Sequence, residues 1–591
     1  MKQHFISIVF LIGFILFGHL AGAQNKINPT VEIVTDYQGK ITEADKISIP
    51  YTDSLTGTKP SFSYQALSPV LNNKFIMQPV PAARMEIPAK LQDNYLGYFR
   101  GSLSYPLTPD LNFYLNAYSR TGTYFNLYIN HHSFWGKVPL YEKAPVSATP
   151  IPSEIRADNA DTRIGVSLQH FWNAVAIDLD LTYNNRYLMY HGHDTLLLQL
   201  YPVLIDNISD NSYMKDKLSQ GLHIVQAGIS LYSVDQANSR TNFSIDGNFN
   251  FIKESAHQYG NDPTSQSLLG VKAWFNHKLK DVHAIDVDLG VKTFNRRAFS
   301  NLLLHIAPGY RYSDNGWLFF AGINIEGVKD ESDFVVNVYP KIAISYKAED
   351  WFIPYVSATG GTRLNNYEKI ITENPYILPG IEVDNSRCLI DLQAGVRGSI
   401  NPYLSYQLNV GYSMIDRMYF FVNSDKPLDP LSFMPVNPLR NHFEVEYDNI
   451  KLLTFGGAIT SKLGAFEALF KMQYSHYMMN DNKKAWHKPD LELGVNLRYK
   501  LTENFIFNVD GYFRSEAPVL LEISGWMVWP PYMITTTTPA YFNLGAMAEY
   551  RISRQLSAFA QITNLLNNNY QQYYLYYNPG ITIGAGISIA F

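Results

Sequence analysis

From about Tyr95 to Phe591, apolar and polar residues alternate with a period of two in short segments. Val175, Ile177, Leu179, Leu181 and Tyr183 interleave with Asp178, Asp180, Thr182 and Asn184. Ile285, Val287, Leu289 and Val291 interleave with Asp286, Asp288, Gly290 and Lys292. The same alternation runs through Ile390–Arg397, Leu491–Tyr499 and Phe505–Arg514. Side chains of a strand point to opposite faces in turn, so each segment has one oily side and one wet side.

A soluble antiparallel sheet also alternates. Here the polar faces carry the charges, and the apolar faces carry none across the strand centres. That restriction is what a hydrocarbon surround imposes on a strand. Tyr, Phe and Trp gather at strand ends, as in Tyr570–Tyr577, where amphipathic rings suit the headgroup level. Short polar turns (Ser313–Asn315, Ala348–Asp350, Thr502–Asn504, Ser553–Gln555) alternate with long connections near 135–160, 189–220, 364–386, 417–450 and 515–538. Strand starts fall near residues 95, 111, 123, 161, 174, 221, 240, 267, 282, 300, 316, 334, 351, 387, 403, 451, 464, 488, 504, 540, 556 and 579. The stretch His442–Tyr447 fits either strand or loop. The pattern predicts an all-β fold, a large transmembrane antiparallel β-barrel of about 22 strands, with short periplasmic turns and long extracellular loops.

Composition narrows this further. Tyr (42), Phe (34) and Trp (8) are abundant, while charged residues make up 17%, below the roughly 25% of a soluble domain. Beyond the first 20-odd residues no apolar run approaches the ~18 residues of a membrane helix. The single cysteine, Cys388, excludes a disulfide scaffold; in register with Ile390 and Leu392, it is expected to face lipid. A net charge of -5 gives no basic footprint for nucleic acid. Lys2, the apolar stretch Phe5–Leu20 and Ala21-Gly22-Ala23 have the order of a secretory signal peptide, residues 1–23. The predicted divisions are then a periplasmic or lumenal segment, 24–94, and the barrel, 95–591.

The residues expected to face the lumen are Arg100, Asp178, Asp180, Asp286, Asp288, Lys292, Asp391, Arg397, Glu467, Lys471, Glu492, Arg498, Asp510, Arg514, Glu549 and Arg551. They read as a selective polar pathway or, more plainly, as ion pairs that knit and hydrate the wall. His191, His193 and Asp194 are close enough for a transition metal, against the plainer reading of a solvated outer loop. Trp526–Tyr532 reads as an interfacial belt, a packed loop tip or an aromatic ligand platform. No Gly-x-Ser-x-Gly elbow, His-Glu-x-x-His pair or phosphate loop occurs, so no enzyme activity is expected and no cofactor is implied.

The run Leu556–Tyr570, with Asn564-Leu565-Leu566-Asn567, and the closing strand to Phe591 resemble the last hairpin of TonB-dependent receptors. Leu566 stands where that pattern has Phe. Ala485-Trp486-His487-Lys488-Pro489 and Val31–Tyr37 resemble plug-poor barrels of this kind from Bacteroidetes-type bacteria. The resemblance implies transport or receptor function for a solute, outer-membrane lipid as surroundings and a periplasmic energy-coupling or envelope partner. The rival expectation is a structural barrel that anchors an envelope complex. The family's plug would precede the barrel. Segment 24–94 is proline-rich, too short for a full plug and without a TonB box. A lumen this wide needs filling, so that segment and inward-folded outer loops are expected to share the task.

Overall fold

The computed structural model describes residues 95–119, 122–141, 151–200, 203–234, 239–256, 265–296, 299–330, 333–381, 383–424, 441–481, 484–525 and 528–591. The expected signal peptide and segment 24–94 lie outside the described residues, as do Trp526 and Met527.

Twenty-two antiparallel strands form one closed ring. Each pairs with its neighbours in the chain, and the first, Gly97–Tyr105, pairs with the last, Thr582–Ala590, from Tyr98 opposite Ala590 to Tyr105 opposite Ile583. Phe591 completes the seam. Its carbonyl accepts from Gly97 N at 2.7 Å, and its amide donates to Gly97 O at 2.9 Å. Its ring covers Gly97, where a Cβ would meet it at 2.4 Å, so glycine lets the two ends come together.

The alternation in the sequence is the wall of this ring. Ile285, Leu289 and Val291 are exposed on the outside, while Asp286 on the opposite face is only 3% exposed. At the end with short connections the chain reverses tightly. Asn315 and Gly316 both take positive φ (47° and 80°) between Asp314 and its partner Trp317. Two such residues in succession match the right-handed twist of the flanking strands. Trp172, Trp317, Trp351, Tyr403, Tyr499 and Tyr550 stand exposed at this end, the aromatic belt of a membrane interface.

Strand starts match the sequence reading within about three residues, with one exception. Leu404–Asn423 and Phe443–Leu463 are 20 and 21 residues long and extend well beyond the membrane thickness. A bulge between Ile415 and Met418, with Arg417 at φ 54°, breaks the alternation there. His442 ends a connection, and Phe443–Tyr447 is strand.

A second bulge corrects the expectation for Cys388. Register shifts between Cys388 and Ile390, so Cys388 leaves the row that Leu392 occupies. It is 3% exposed and shares a buried cluster with Ile415, Phe420, Ala485 and Trp486, rather than facing lipid. One further hairpin, Ala517–Gly525 with Val528–Thr538, meets the sheet at a single bridge between Asn423 and Leu521 and stands outside the ring.

Leu289→Arg places a charge on the oily face and is expected to cost about 2–4 kcal/mol of stability in lipid. Asp288→Asn, on the wet face, should cost far less. Urea unfolding of both variants in lipid vesicles checks this; equal effects would contradict the assignment of faces.

Candidate functional site

The described parts of the long connections do not spread into solvent. They fold together over one end of the barrel around a common apolar core. Val138, Leu140 and Ile155 enter it from 135–158; Leu198, Ile208, Met214 and Leu218 from the short helices of 190–218; Tyr367, Ile370, Ile371 and Ile377 from 364–385; Tyr573 and Tyr576 from 564–581. Burying a large side chain contributes roughly 1.5–3 kcal/mol, so this cap has the driving force of a small domain core.

Within the aromatic run Tyr570–Tyr577, Tyr573 and Tyr576 belong to this core and Tyr570 packs with Tyr512 and Tyr541, contrary to the run's reading as an interfacial belt. Tyr570, Tyr573 and Tyr576 are all under 7% exposed. Tyr576 stacks on Tyr376 with ring centroids 3.5 Å apart and donates to the Asn441 carbonyl. Asn564 and Asn567 take positive φ (49° and 50°), and the Asn564 amide holds the loop by donating to Asn568 O and Pro579 O. The family-like asparagines therefore shape the connection that carries these tyrosines.

The connection 364–385 crosses to distant parts of the wall. Its helix, Tyr367–Glu373, starts at Asn366, whose side chain accepts from Lys369 N at 2.9 Å. Tyr367, Ile370 and Ile371 form its buried face. At one end Tyr367 N donates to Gln266 Oε1 at 3.0 Å, and Tyr367 Oη donates to Glu254 at 2.5 Å. Glu254, 1% exposed, also accepts from Gln220 and from Gly380 N. Glu368 accepts from Gln226 and Asn250 on the same wall. At the other end Glu373 pairs with Lys488 and accepts from Tyr419, while Tyr573 Oη donates to the Glu373 carbonyl at 2.5 Å. Burial pushes the Glu373 carboxyl up, but Lys488, Tyr419 and Lys369 outweigh it and hold it below the usual range. The helix is thus a strap tied to strands on both sides.

The residues expected in the lumen lie on the face opposite the exposed apolar rows, and most find partners on neighbouring strands. Asp286 receives two bonds from Arg311 at 3.0 Å, and Asp288 takes Lys341 and Lys272. Asp391 accepts from Ser413 at 2.9 Å and has Arg363 at 3.9 Å. Glu467 meets Arg498 at 3.8 Å and Lys500 at 3.3 Å. Asp510 accepts from Asn496, Glu492 from Tyr512, and Asp178 from Tyr232. Arg100 lies 4.0 Å over Phe559, and Arg397 5.7 Å over Tyr355. Asp180 faces Ser167 and Gly228, Lys292 faces Gly270 and Leu303, and Lys471 faces Ala458 and Gly494. Glu549 faces Ile506 and Phe559, and Arg551 faces Ser557 at a strand end. Arg514 differs from the rest. It is buried and donates to Gln572 O at 2.7 Å and His487 O at 2.8 Å, pinning two outer connections to the wall.

His191, His193 and Asp194 are buried, which corrects their reading as a solvated loop. His191 sits edge-on to Tyr376 and Tyr576, with its ring nitrogens 3.2 Å and 3.3 Å from the carbonyls of Met189 and Tyr577. Among the described residues no three His, Cys, Asp or Glu side chains gather around a point that would hold a metal ion.

The sequence reading did not single out Glu254, Tyr367 or Glu373, and named Lys488 only within the motif Ala485–Pro489. A signal for the strap was present: Asn366, followed by apolar residues at 367, 370 and 371, is a capped helix start with helical spacing inside a long connection.

No family model matches the chain, and no curated protein matches it. Solved structures do match in fold. The siderophore receptor PirA from Acinetobacter baumannii superposes with a TM-score of 0.60 at 11% identity, over 85% of this chain and 81% of that one. The ferric-catecholate import receptor Fiu from E. coli K12 gives 0.59 at 9%, over 85% and 82%. The pyoverdine outer membrane receptor FpvA from Pseudomonas aeruginosa gives 0.60 at 9%, over 85% and 79%. The chain has the barrel fold of TonB-dependent siderophore receptors. A 22-strand barrel of this kind fits a bacterial outer membrane.

Glu254→Ala removes the acceptor of three donors, and each buried donor left unpaired costs about 1–3 kcal/mol. Faster amide exchange at Gly380 and across Tyr367–Glu373, with the wall strands unchanged, is the expected outcome.

Proposed function

We propose that this chain is an outer-membrane receptor and transporter for a solute, and that the closed outer mouth is its resting state. The observation that carries the reading is the strap Tyr367–Glu373, tied to Glu254 and Gln266 at one end and to Tyr419 and Lys488 at the other, in a barrel whose wall carries paired charges. A structural peg would have no need of a wide polar interior closed by ties that side-chain rearrangement can release. The fold neighbours named above are receptors and importers, which supports the same reading and speaks against an enzyme. In this reading residues 1–23 direct export, the lumen-facing charges hydrate the path, and a periplasmic partner supplies energy for opening.

Planar lipid bilayers test this. The intact barrel should pass little current, and deletion of Asn366–Gly380 should give a large, steady conductance. A deletion variant that folds and stays silent would count against a lumen shut by this strap.

A further inference from the structure

The cap contains a group of imidazoles for which the closed mouth gives no structural reason. His193 and His442 are 0% exposed, and among the described residues none of their ring nitrogens has a hydrogen-bond partner of good geometry, Gly192 offering His193 only a weak backbone contact. They come from distant parts of the chain: His193 precedes the helix Thr195–Leu200, and His442 precedes the strand Phe443–Leu463. His442 lies against Tyr190, with ring centroids 4.2 Å apart. His191 is clamped between Tyr376 and Tyr576, the residues that join the connections 364–385 and 564–581. Four buried polar atoms without partners are costly in a core where Leu or Phe would pack as well.

We propose that His193 and His442, with His191 beside them, form an acid-operated latch: when they take up protons, the two imidazoles are driven apart, His193 is parted from the start of the strand Phe443–Leu463, and the outer mouth opens. This rests on the closed-mouth reading above. The groups around the latch are Tyr190, Tyr376, Tyr576, Asp194 and Glu444. Glu444 is engaged by the Ser424 hydroxyl, and the Asp194 carbonyl opens the helix Thr195–Leu200. What acts on His442 is burial and then the charge of His193; what acts on His193 is burial and then the charge of His191, with some help from Gly192.

The direction follows from linkage. Burial lowers His193 and His442 to about 3 and His191 to about 4, so the closed cap keeps all three neutral through mild acid. An opened cap returns them to the ordinary value of 6.5. Below that pH the open form binds protons that the closed form refuses, and acid favours opening. Closure is at full strength above about pH 6.5 and weakens by up to tenfold per pH unit for each histidine as pH falls toward about 4.

The test titrates the intact barrel in a planar bilayer from about pH 7.5 to about pH 4.5 on the side of the long connections. The wild type should open steeply below about pH 6.5. His193→Gln/His442→Gln should lose most of that rise while retaining the neutral-pH behaviour. His476→Gln, outside the cap, should respond like the wild type. If the glutamine pair folds poorly, His442→Phe keeps a ring against Tyr190 and serves in its place. An acid response unchanged in these variants, or a wild type that stays shut throughout, overturns the latch. So does opening by Zn2+ at neutral pH that the double variant lacks, which would make the pair metal ligands. If deletion of Asn366–Gly380 opens the barrel and acid does not, only the latch fails; if neither does, the transport reading fails with it.

Discussion

The constraint on which the structure depends is that hydrocarbon offers no partner to a backbone amide. Every N–H and C=O at membrane depth must be satisfied within the protein, and a sheet achieves this only by closing on itself. The pairing of Gly97–Tyr105 with Thr582–Ala590 meets that demand. Once the ring is closed, the alternation of residues has no freedom left. Ile285 and Leu289 must meet lipid, and Asp286 and Asp288 must turn inward, where Arg311, Lys341 and Lys272 neutralise them.

A ring this wide creates a second problem, since its interior is an open path. The described parts of the outer connections gather over one end of it. They pack on a shared apolar core, and one of them carries a capped helix tied to residues of distant strands. The ties of that helix are side-chain hydrogen bonds and one ion pair, not ladder bonds. Its attachment is therefore separable from the integrity of the wall. Strands carry the stability, and connections carry the moving parts.

The wall was legible in the sequence because period-two alternation reports directly on two different solvents. It blurred where a bulge inserted a residue, at Arg417 and beside Cys388, because one extra residue reverses every later side chain. The cap was much less legible. Burial of His193, Tyr573 and Glu254 arises from contacts between connections far apart in the chain, and no local pattern encodes it. Aromatic residues near strand ends suit a headgroup belt and a packed loop core equally well. Trp351 and Tyr403 took the first role, and Tyr573 and Tyr576 the second.

The seam has a consequence for how the molecule is made. Tyr98 and Ala590 lie at opposite ends of the described chain, so their pairing rewards no early, local step. The loop-closure entropy of nearly the whole polypeptide is met before the final ladder returns anything. Until then the two edges are unpaired and sticky, poised to recruit a neighbour. Such a chain calls for an escort that shields those margins and delivers it to the bilayer as a nearly finished cylinder.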